Sequence, residues 1–206
     1  MDTLLKRMLD VSFGCVVIAA SLPLWCLFIL LIWIEENPPI FYIQERVGKN
    51  GNVFKVVKFR TMSAAERVET SFAKFLRITA LDELPQILNI IKGDMSFVGP
   101  RPLINREMEM MRDEALFAER IRVQPGLTGI AQVLLPKDAP LQEKFLYDVW
   151  YARNRNAIMD IKLIAISYLI TFMGRWELNV EKIQVLHNLQ RRIDTDLVHL
   201  KEAGDA

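Results

Sequence analysis

The sequence predicts a mainly α-helical protein with one small β-hairpin, attached to a membrane near its N-terminus. Three observations carry this reading. Residues 11–34 hold 20 apolar residues in 24 positions and no charge. Residues 40–60 alternate around Asn50-Gly51, a strong hairpin turn signal. Further along, apolar residues recur at helical spacing, as in Leu84, Ile87, Leu88 and Ile91.

The 206 residues suit one domain with a real core. Hydrophobic residues make up 51% of the chain. With residues 11–34 set aside the fraction falls to roughly 47%, ordinary for a globular body. The net charge of +1 excludes a general nucleic-acid binder, which needs a basic surplus. The apolar content excludes a disordered chain. Cys15 and Cys26, the two cysteines, both lie in the apolar stretch, so neither a disulfide framework nor a thiolate metal site is expected.

As a helix, 24 residues reach about 36 Å and cover a bilayer core of about 30 Å. Ser21-Leu22-Pro23 sits at the midpoint. Proline removes a backbone donor and predicts a kink there, with Ser21 free to bond a carbonyl released by the break. A spanning anchor and a re-entrant hairpin both fit. The flanking charges, Lys6 and Arg7 before and Arg46 and Lys49 after, give no orientation.

Between residues 46 and 77 eight Lys or Arg face two acids, Glu66 and Glu69, a local charge suited to anionic lipid or phosphate. Residues 105–122 read as a charged helix, and residues 161–173 as a core or interfacial helix too short to span. Pro100-Arg101-Pro102 is a stiff loop, and Pro125-Gly126 and Gly129 mark tight turns. In the tail Ile183, Leu186, Ile193, Leu197 and Leu200 follow heptad-like spacing, which suits an amphipathic helix able to self-associate. His187 and His199 stand apart, as surface residues.

Asp82-Glu83-Leu84-Pro85-Gln86 is the chemically suggestive segment. Proline is tolerated only in a helix's first turn, so the acid pair sits at or beside a helix N-terminus. An ionised, partly desolvated aspartate there can act as a nucleophile, and the neighbouring glutamate can bind a metal or steer a proton. An ordinary N-cap is the plainer use of Asp82. Arg77 and Arg101 offer planar forks for phosphate, and Lys58 and Arg60 close the second hairpin strand. Asp94, Asp148 and Asp160 are further carboxylates for Mg²⁺, which takes few carboxylates together with substrate phosphates. No glycine-rich nucleotide fingerprint or zinc motif is present.

The order of motifs resembles the bacterial sugar transferase family, and within it the small monotopic phosphoglycosyl transferases. The motifs are Lys6-Arg7-x-x-Asp10, the apolar segment broken at Pro23, Gln44-x-Arg46-x-Gly48, Lys58-Phe59-Arg60-Thr61-Met62 and Leu81-Asp82-Glu83-Leu84-Pro85-Gln86. There follow Lys92-Gly93-Asp94-Met95-Ser96-Phe97-Val98-Gly99-Pro100-Arg101-Pro102, Pro125-Gly126-Leu127-Thr128-Gly129 and Tyr147-Asp148-Val149-x-Tyr151. The resemblance implies transfer of a sugar-1-phosphate from a UDP-sugar to polyprenyl (undecaprenyl) phosphate with release of UMP. It places this at the cytoplasmic face of the bacterial inner membrane.

It also implies Asp82 as the nucleophile and Glu83 with Mg²⁺ as its assistants, Asp82 and Glu83 being the metal candidates. Lys58, Arg60, Arg77, Arg101 and Asp148 are the substrate-binding candidates. The implied fold is a monotopic domain with an N-terminal re-entrant helix-break-helix and interfacial amphipathic helices. Residues 1–36 would form the membrane hairpin around Ser21 and Pro23, 37–175 a cytosolic catalytic domain lying on the membrane, and 176–206 the C-terminal helix. Membrane lipid and a second copy through the C-terminal helix are the expected partners, and nucleic acid is not.

The chain departs from the family pattern in three places. Leu22 separates Ser21 from Pro23, the linker between Met62 and Arg77 is short, and residues 133–137 lack the family's loop. A non-catalytic membrane adaptor and a Mg²⁺-dependent phosphodiesterase are the competing functions.

Overall fold

The computed structural model describes residues 3–36, 38–61, 70–109, 114–136, 138–172 and 184–204. Met62, residues 63–69 of the linker before Arg77, Lys137, Met173 and Ile183 lie outside these residues. The first element, α1, is Thr3–Glu36. Its stretch Leu4–Glu35 is long and apolar enough to cross a membrane, and little of it is buried. Pro23 lies inside α1, with helical residues on both sides of it. Ser21 does not take up a freed carbonyl. Its hydroxyl donates to Val17 and Ile18, whereas Pro23 leaves the Ala19 carbonyl without its helical donor.

Both halves of α1 lie against the body. Near its start Lys6 pairs with Asp160 at 2.5 Å, and Asp10 accepts from the Phe97 amide at 3.1 Å. Near its end Phe28 and Ile32 are buried with Phe59 and Leu76, and the Trp25 ring meets Phe59 edge-on. Between these, a Cβ added at Gly14 would sit 3.1 Å from Ile91, so a small residue lets the helices approach.

The hairpin forms as its pattern predicts. Strands β1 (Phe41–Val47) and β2 (Val53–Phe59) pair antiparallel with Phe41 opposite Phe59 and Val47 opposite Val53. Asn50 and Gly51 take φ of 57° and 79°, the left-handed values that the Asn-Gly pair tolerates. Beyond it, α2 is Ser71–Ile78, capped by the Thr70 hydroxyl, and a 3₁₀ turn at Leu81–Glu83 leads through Pro85 into α3, Gln86–Lys92.

A second, parallel pair was not legible. Residues 96–98 and 126–128 form β3 (Ser96–Val98) and β4 (Gly126–Thr128), with Ser96 opposite Gly126 and Val98 opposite Thr128. Strands of three residues carry no usable periodicity, so the sequence shows only the loop and turn residues around them.

Helices α4 (Asn105–Glu109), α5 (Glu114–Arg120), α6 (Ile130–Leu134), α7 (Leu141–Asn154) and α8 (Ala157–Phe172) complete the body. Trp150, Tyr151, Ile130, Ile90 and Leu163 lie at the centre of the core. One side of α8 buries Leu163 and Ile170, while Ile158, Ile161, Tyr168 and Leu169 are exposed. Phe75 and Ile78 of α2 are exposed too. Apolar residues on the outside of several helices suit a lipid interface better than water.

The tail helix α9, Gln184–Gly204, packs on this chain's own α7. Ile193 and Leu197 of its apolar stripe are buried in the core. Asp194 accepts from the Tyr147 hydroxyl at 2.6 Å, and Asp196 from the Trp150 indole at 2.8 Å. These members of the heptad-like stripe therefore serve an intramolecular contact.

Candidate active site

The acid pair is set by its neighbours on both sides. Ala80 takes a left-handed φ of 53°, turning the chain out of α2, and Leu81–Glu83 then form the 3₁₀ turn. Asp82 and Glu83 thus stand one turn before α3, as Pro85 requires. Asn89 fixes α3 against the hairpin: its amide donates to the Lys55 carbonyl at 2.7 Å, and its oxygen accepts from the Val57 amide at 3.3 Å. At the other end Gly93 takes φ 103° and closes the helix, while the Arg7 guanidinium of α1 donates to the carbonyls of Ile90 and Ile91. A cation on the last carbonyls of a helix satisfies groups that otherwise lack donors. Helix α1 thereby holds the helix that follows the acid pair.

A cleft opens beside the 3₁₀ turn, lined by Arg46, Val56, Lys58, Glu83, Gln86, Arg101, Pro102, Gly126 and Leu127. Glu83 faces this cleft and is ion-paired with Lys58 across it. Asp82, the residue before Glu83, is half-buried and does not line the cleft. Its carboxyl is pushed up to about 6, first by burial and then by the Glu83 charge, while Lys58 and Arg77 pull it down. Asp82 is therefore mostly ionised at neutral pH, yet held where ionisation is costly.

Arg101 is placed by backbone contacts around it. The Gly99 amide donates to Thr128 at 2.9 Å and the Gly126 amide to Pro100 at 2.9 Å, so the Pro100–Pro102 loop is tied to β4. Arg120 then donates to the Arg101 carbonyl at 2.6 Å. The exposed Arg101 side chain extends from this clamped loop into the cleft.

The other expected site residues divide. Lys58 lines the cleft; Arg77, on the last turn of α2, acts on Asp82 through its charge. Arg60 bonds the Pro39 carbonyl at 3.4 Å and does not line the cleft. Asp148 does not reach it either. That carboxylate is buried and pairs with Arg120 at 2.8 Å, both side chains being 4% exposed. Burial raises the Asp148 carboxyl against the pull of Arg120. Its place is beneath the Arg101 loop, which Arg120 connects to it, so the substrate-contact expectation gives way to support of Arg101. Asp94 is bound by Lys92 at 3.0 Å, and Asp160 by Lys6 and by the Tyr151 hydroxyl at 2.6 Å. All three extra Mg²⁺ candidates have cationic partners within the fold.

Removing the Asp148 charge leaves Arg120 buried and unpaired. Asp148→Asn is expected to cost about 3–5 kcal/mol of stability, read by chemical denaturation. The double variant with Arg120→Met should recover most of that loss, because it buries no unpaired charge. Recovery of stability without recovery of activity would mark Arg120 as the support of the Arg101 loop.

Arg46 is the charged cleft residue that sequence reasoning did not select as a site residue. It appeared within the basic stretch and in the Gln44-x-Arg46-x-Gly48 motif, but nothing local tells a cleft arginine from a solvated one. Its signal is tertiary: the Val47 amide bonds the Leu103 carbonyl at 2.8 Å, bringing the end of β1 alongside the Arg101 loop.

Among the described residues no three His, Cys, Asp or Glu side chains gather around a metal position. Two adjacent carboxylates, Asp82 and Glu83, do stand together, with Glu83 raising the Asp82 carboxyl. Such a pair fits Mg²⁺ when substrate phosphates complete the coordination.

Together these features define a helical body with one long apolar N-terminal helix, whose site, an acid pair beside a cation-lined cleft, suits a phosphate-bearing substrate. Residues 1–174 match the bacterial sugar transferase family, and the chain belongs to that family. It is similar to the exopolysaccharide production protein ExoY of Sinorhizobium fredii, with 34% identity covering 77% of this chain and 81% of that protein. The uncharacterized sugar transferase EpsL of Bacillus subtilis is 31% identical, over 80% of this chain and 85% of that protein. The UDP-glucose:undecaprenyl-phosphate glucose-1-phosphate transferase of Escherichia coli is 30% identical over 84% of this chain, which spans 41% of that longer protein.

Proposed function

We propose that this protein transfers a sugar-1-phosphate from a UDP-sugar to polyprenyl phosphate at the cytoplasmic face of the bacterial inner membrane. The observation that carries the reading is the Asp82-Glu83 turn beside a cleft lined by Lys58 and Arg101. Both substrates are phosphate anions, for which charge neutralisation and positioning do most of the catalytic work. Relatives whose names specify undecaprenyl-phosphate sugar transfer support the same reading.

In the first step an ionised Asp82 oxygen attacks the phosphorus that bears the sugar. The bond from that phosphorus to the bridging oxygen breaks, and UMP leaves with the electron pair. In the second step an oxygen of the lipid phosphate attacks the same phosphorus, the bond to Asp82 breaks, and the carboxylate is regenerated. Lys58 and Arg101 hold phosphate oxygens, and Arg77 favours the ionised form of Asp82. Asp82 and Glu83 would hold Mg²⁺, which when bound supplies neutralisation of the donor's phosphate charge.

The placement of α1 supports a re-entrant reading of the membrane segment. Lys6 and Asp10 in its first half and Trp25, Phe28 and Ile32 in its second half all contact one body. A helix crossing a bilayer would carry one of those halves away from that body. Both ends then lie on the cytoplasmic side, and the site opens where a lipid phosphate lies.

The test is UMP release by the purified full chain across a panel of UDP-sugars, with and without polyprenyl phosphate. Release that needs the lipid for continued turnover and yields a lipid-linked sugar supports the transferase. Free sugar phosphate without lipid acceptor would indicate a phosphodiesterase. Salt-sensitive lipid binding with no UMP from any donor would indicate an adaptor.

A further inference from the structure

We infer that Arg46 and Arg101 together form a two-guanidinium seat for a phosphoryl group, with Arg46 a substrate-binding residue for the proposed reaction. The inference rests on that reading for its substrates, but its evidence is separate. Arg46 is carried by β1 and Arg101 by the Pro100–Pro102 loop, and two contacts bring these segments together. One is the Val47 to Leu103 backbone bond; the other runs from the Arg46 guanidinium to the Pro102 carbonyl at 3.2 Å. Gln44 accepts from the same guanidinium at 2.7 Å and fixes its plane.

The charge balance points to an anion. The Arg46 side chain is only 15% exposed, and its ion-pair partner, Glu107, lies at 3.9 Å. A largely desolvated guanidinium ordinarily has a close carboxylate, because desolvation without one is costly. Glu83, the acid lining the cleft, is already paired with Lys58. Burial and the Arg101 charge both push the Arg46 guanidinium down from its ordinary value, so the two cations repel across the cleft. Holding two like charges at one cleft is unfavourable until an anion joins them. A phosphoryl group, accepting from both forks, relieves the repulsion and replaces the lost hydration.

Two phosphoryl groups visit the site, the donor's diphosphate and the lipid phosphate, and the experiment separates them. Arg46→Gln, Arg46→Lys and Arg101→Gln are compared with the wild-type full chain in lipid nanodiscs. The readouts are KM for UDP-sugar, KM for polyprenyl phosphate, and the rise in melting temperature produced by UMP or inorganic pyrophosphate. Arg46→Gln is expected to weaken the phosphate contact by about tenfold or more, with partial rescue by Lys, a point charge without the fork. A change in donor KM and in the UMP and pyrophosphate shifts assigns the seat to the nucleotide. A change in acceptor KM alone assigns it to the lipid.

Unchanged values for both substrates, in an Arg46→Gln protein that melts like wild type, would overturn the inference. Should Arg46→Gln fail to fold, Arg101→Gln decides, since its exposed side chain is not part of the core. An unaltered pyrophosphate shift there, together with unchanged KM for both substrates, would equally overturn the seat. If the wild type released no UMP from any donor the proposed reaction would fail, while the pyrophosphate shift would still decide the arginine pair.

Discussion

Asp82→Asn is expected to end sugar-phosphate transfer while making the protein more stable at neutral pH. The amide cannot attack phosphorus, so UMP release should fall by at least about a thousandfold, the scale on which losing a covalent nucleophile acts. The wild type mixed with donor alone should release one UMP per active site and then stop. The variant should show no such burst. Stability moves the other way because burial and Glu83 raise the Asp82 carboxyl from 3.8 to about 6. Sealed from water, that displacement would correspond to about 3 kcal/mol; with the residual solvent access, about 1–2 kcal/mol is expected.

The sign follows from linkage. A carboxyl raised in the folded state penalises folding above its folded pKa, and the penalty fades as pH falls from about 6 to 3.8. Wild-type stability should therefore gain from this group on acidification through that window, and the asparagine variant should lack that gain. Activity has the opposite slope: kcat/KM should rise through pH 6 as the nucleophile ionises and level off above about 7. Thermal melts and pH–rate profiles of both proteins check each half. Full turnover in the variant would sink the covalent mechanism.

Gly126→Ala is the second large effect, and it acts through the backbone. A Cβ at that position would stand 2.1 Å from the Gly99 nitrogen and 2.3 Å from the Thr128 oxygen. Those atoms belong to the β3–β4 pairing and to the loop bearing Arg101, so no flexible side chain can yield. The expected loss exceeds about 4 kcal/mol, visible as a collapse in melting temperature and soluble yield. Gly51→Ala is the informative contrast. Gly51 has φ 79° but nothing within 4 Å of an added Cβ, so only the conformational penalty of about 1 kcal/mol applies. Its activity should remain near wild type.

Much of the framework is legible because its signals are local. The uncharged run at residues 11–34, the Asn50-Gly51 turn and the spacing of Ile87 and Leu88 each report on residues within a few positions of one another. Pro85 likewise places Asp82 and Glu83 before a helix with no knowledge of the rest of the chain. Motif order adds the family, from Lys6 to Tyr151.

Tertiary structure decided which charges face the cleft. Asp148, Asp94 and Asp160 look alike in sequence to Glu83, and all four are paired with a cation of the fold, but of these acids it is Glu83 that lines the cleft. Asp160 meets Lys6 from 154 residues away, and Asp148 meets Arg120 from 28. Arg46 and Arg101 become neighbours only because two short segments bridge at Val47 and Leu103. The stripe of α9 docks on α7 for a similar reason: spacing shows that a helix has an apolar face, and packing selects what covers it. By itself, then, the sequence determined the helical framework with its long apolar first helix, the hairpin and the position of the acid pair, all governed by backbone periodicity and turn chemistry. The surroundings of that pair were decided by the tertiary structure, because a charge carries no local mark of the partner that burial will bring to it.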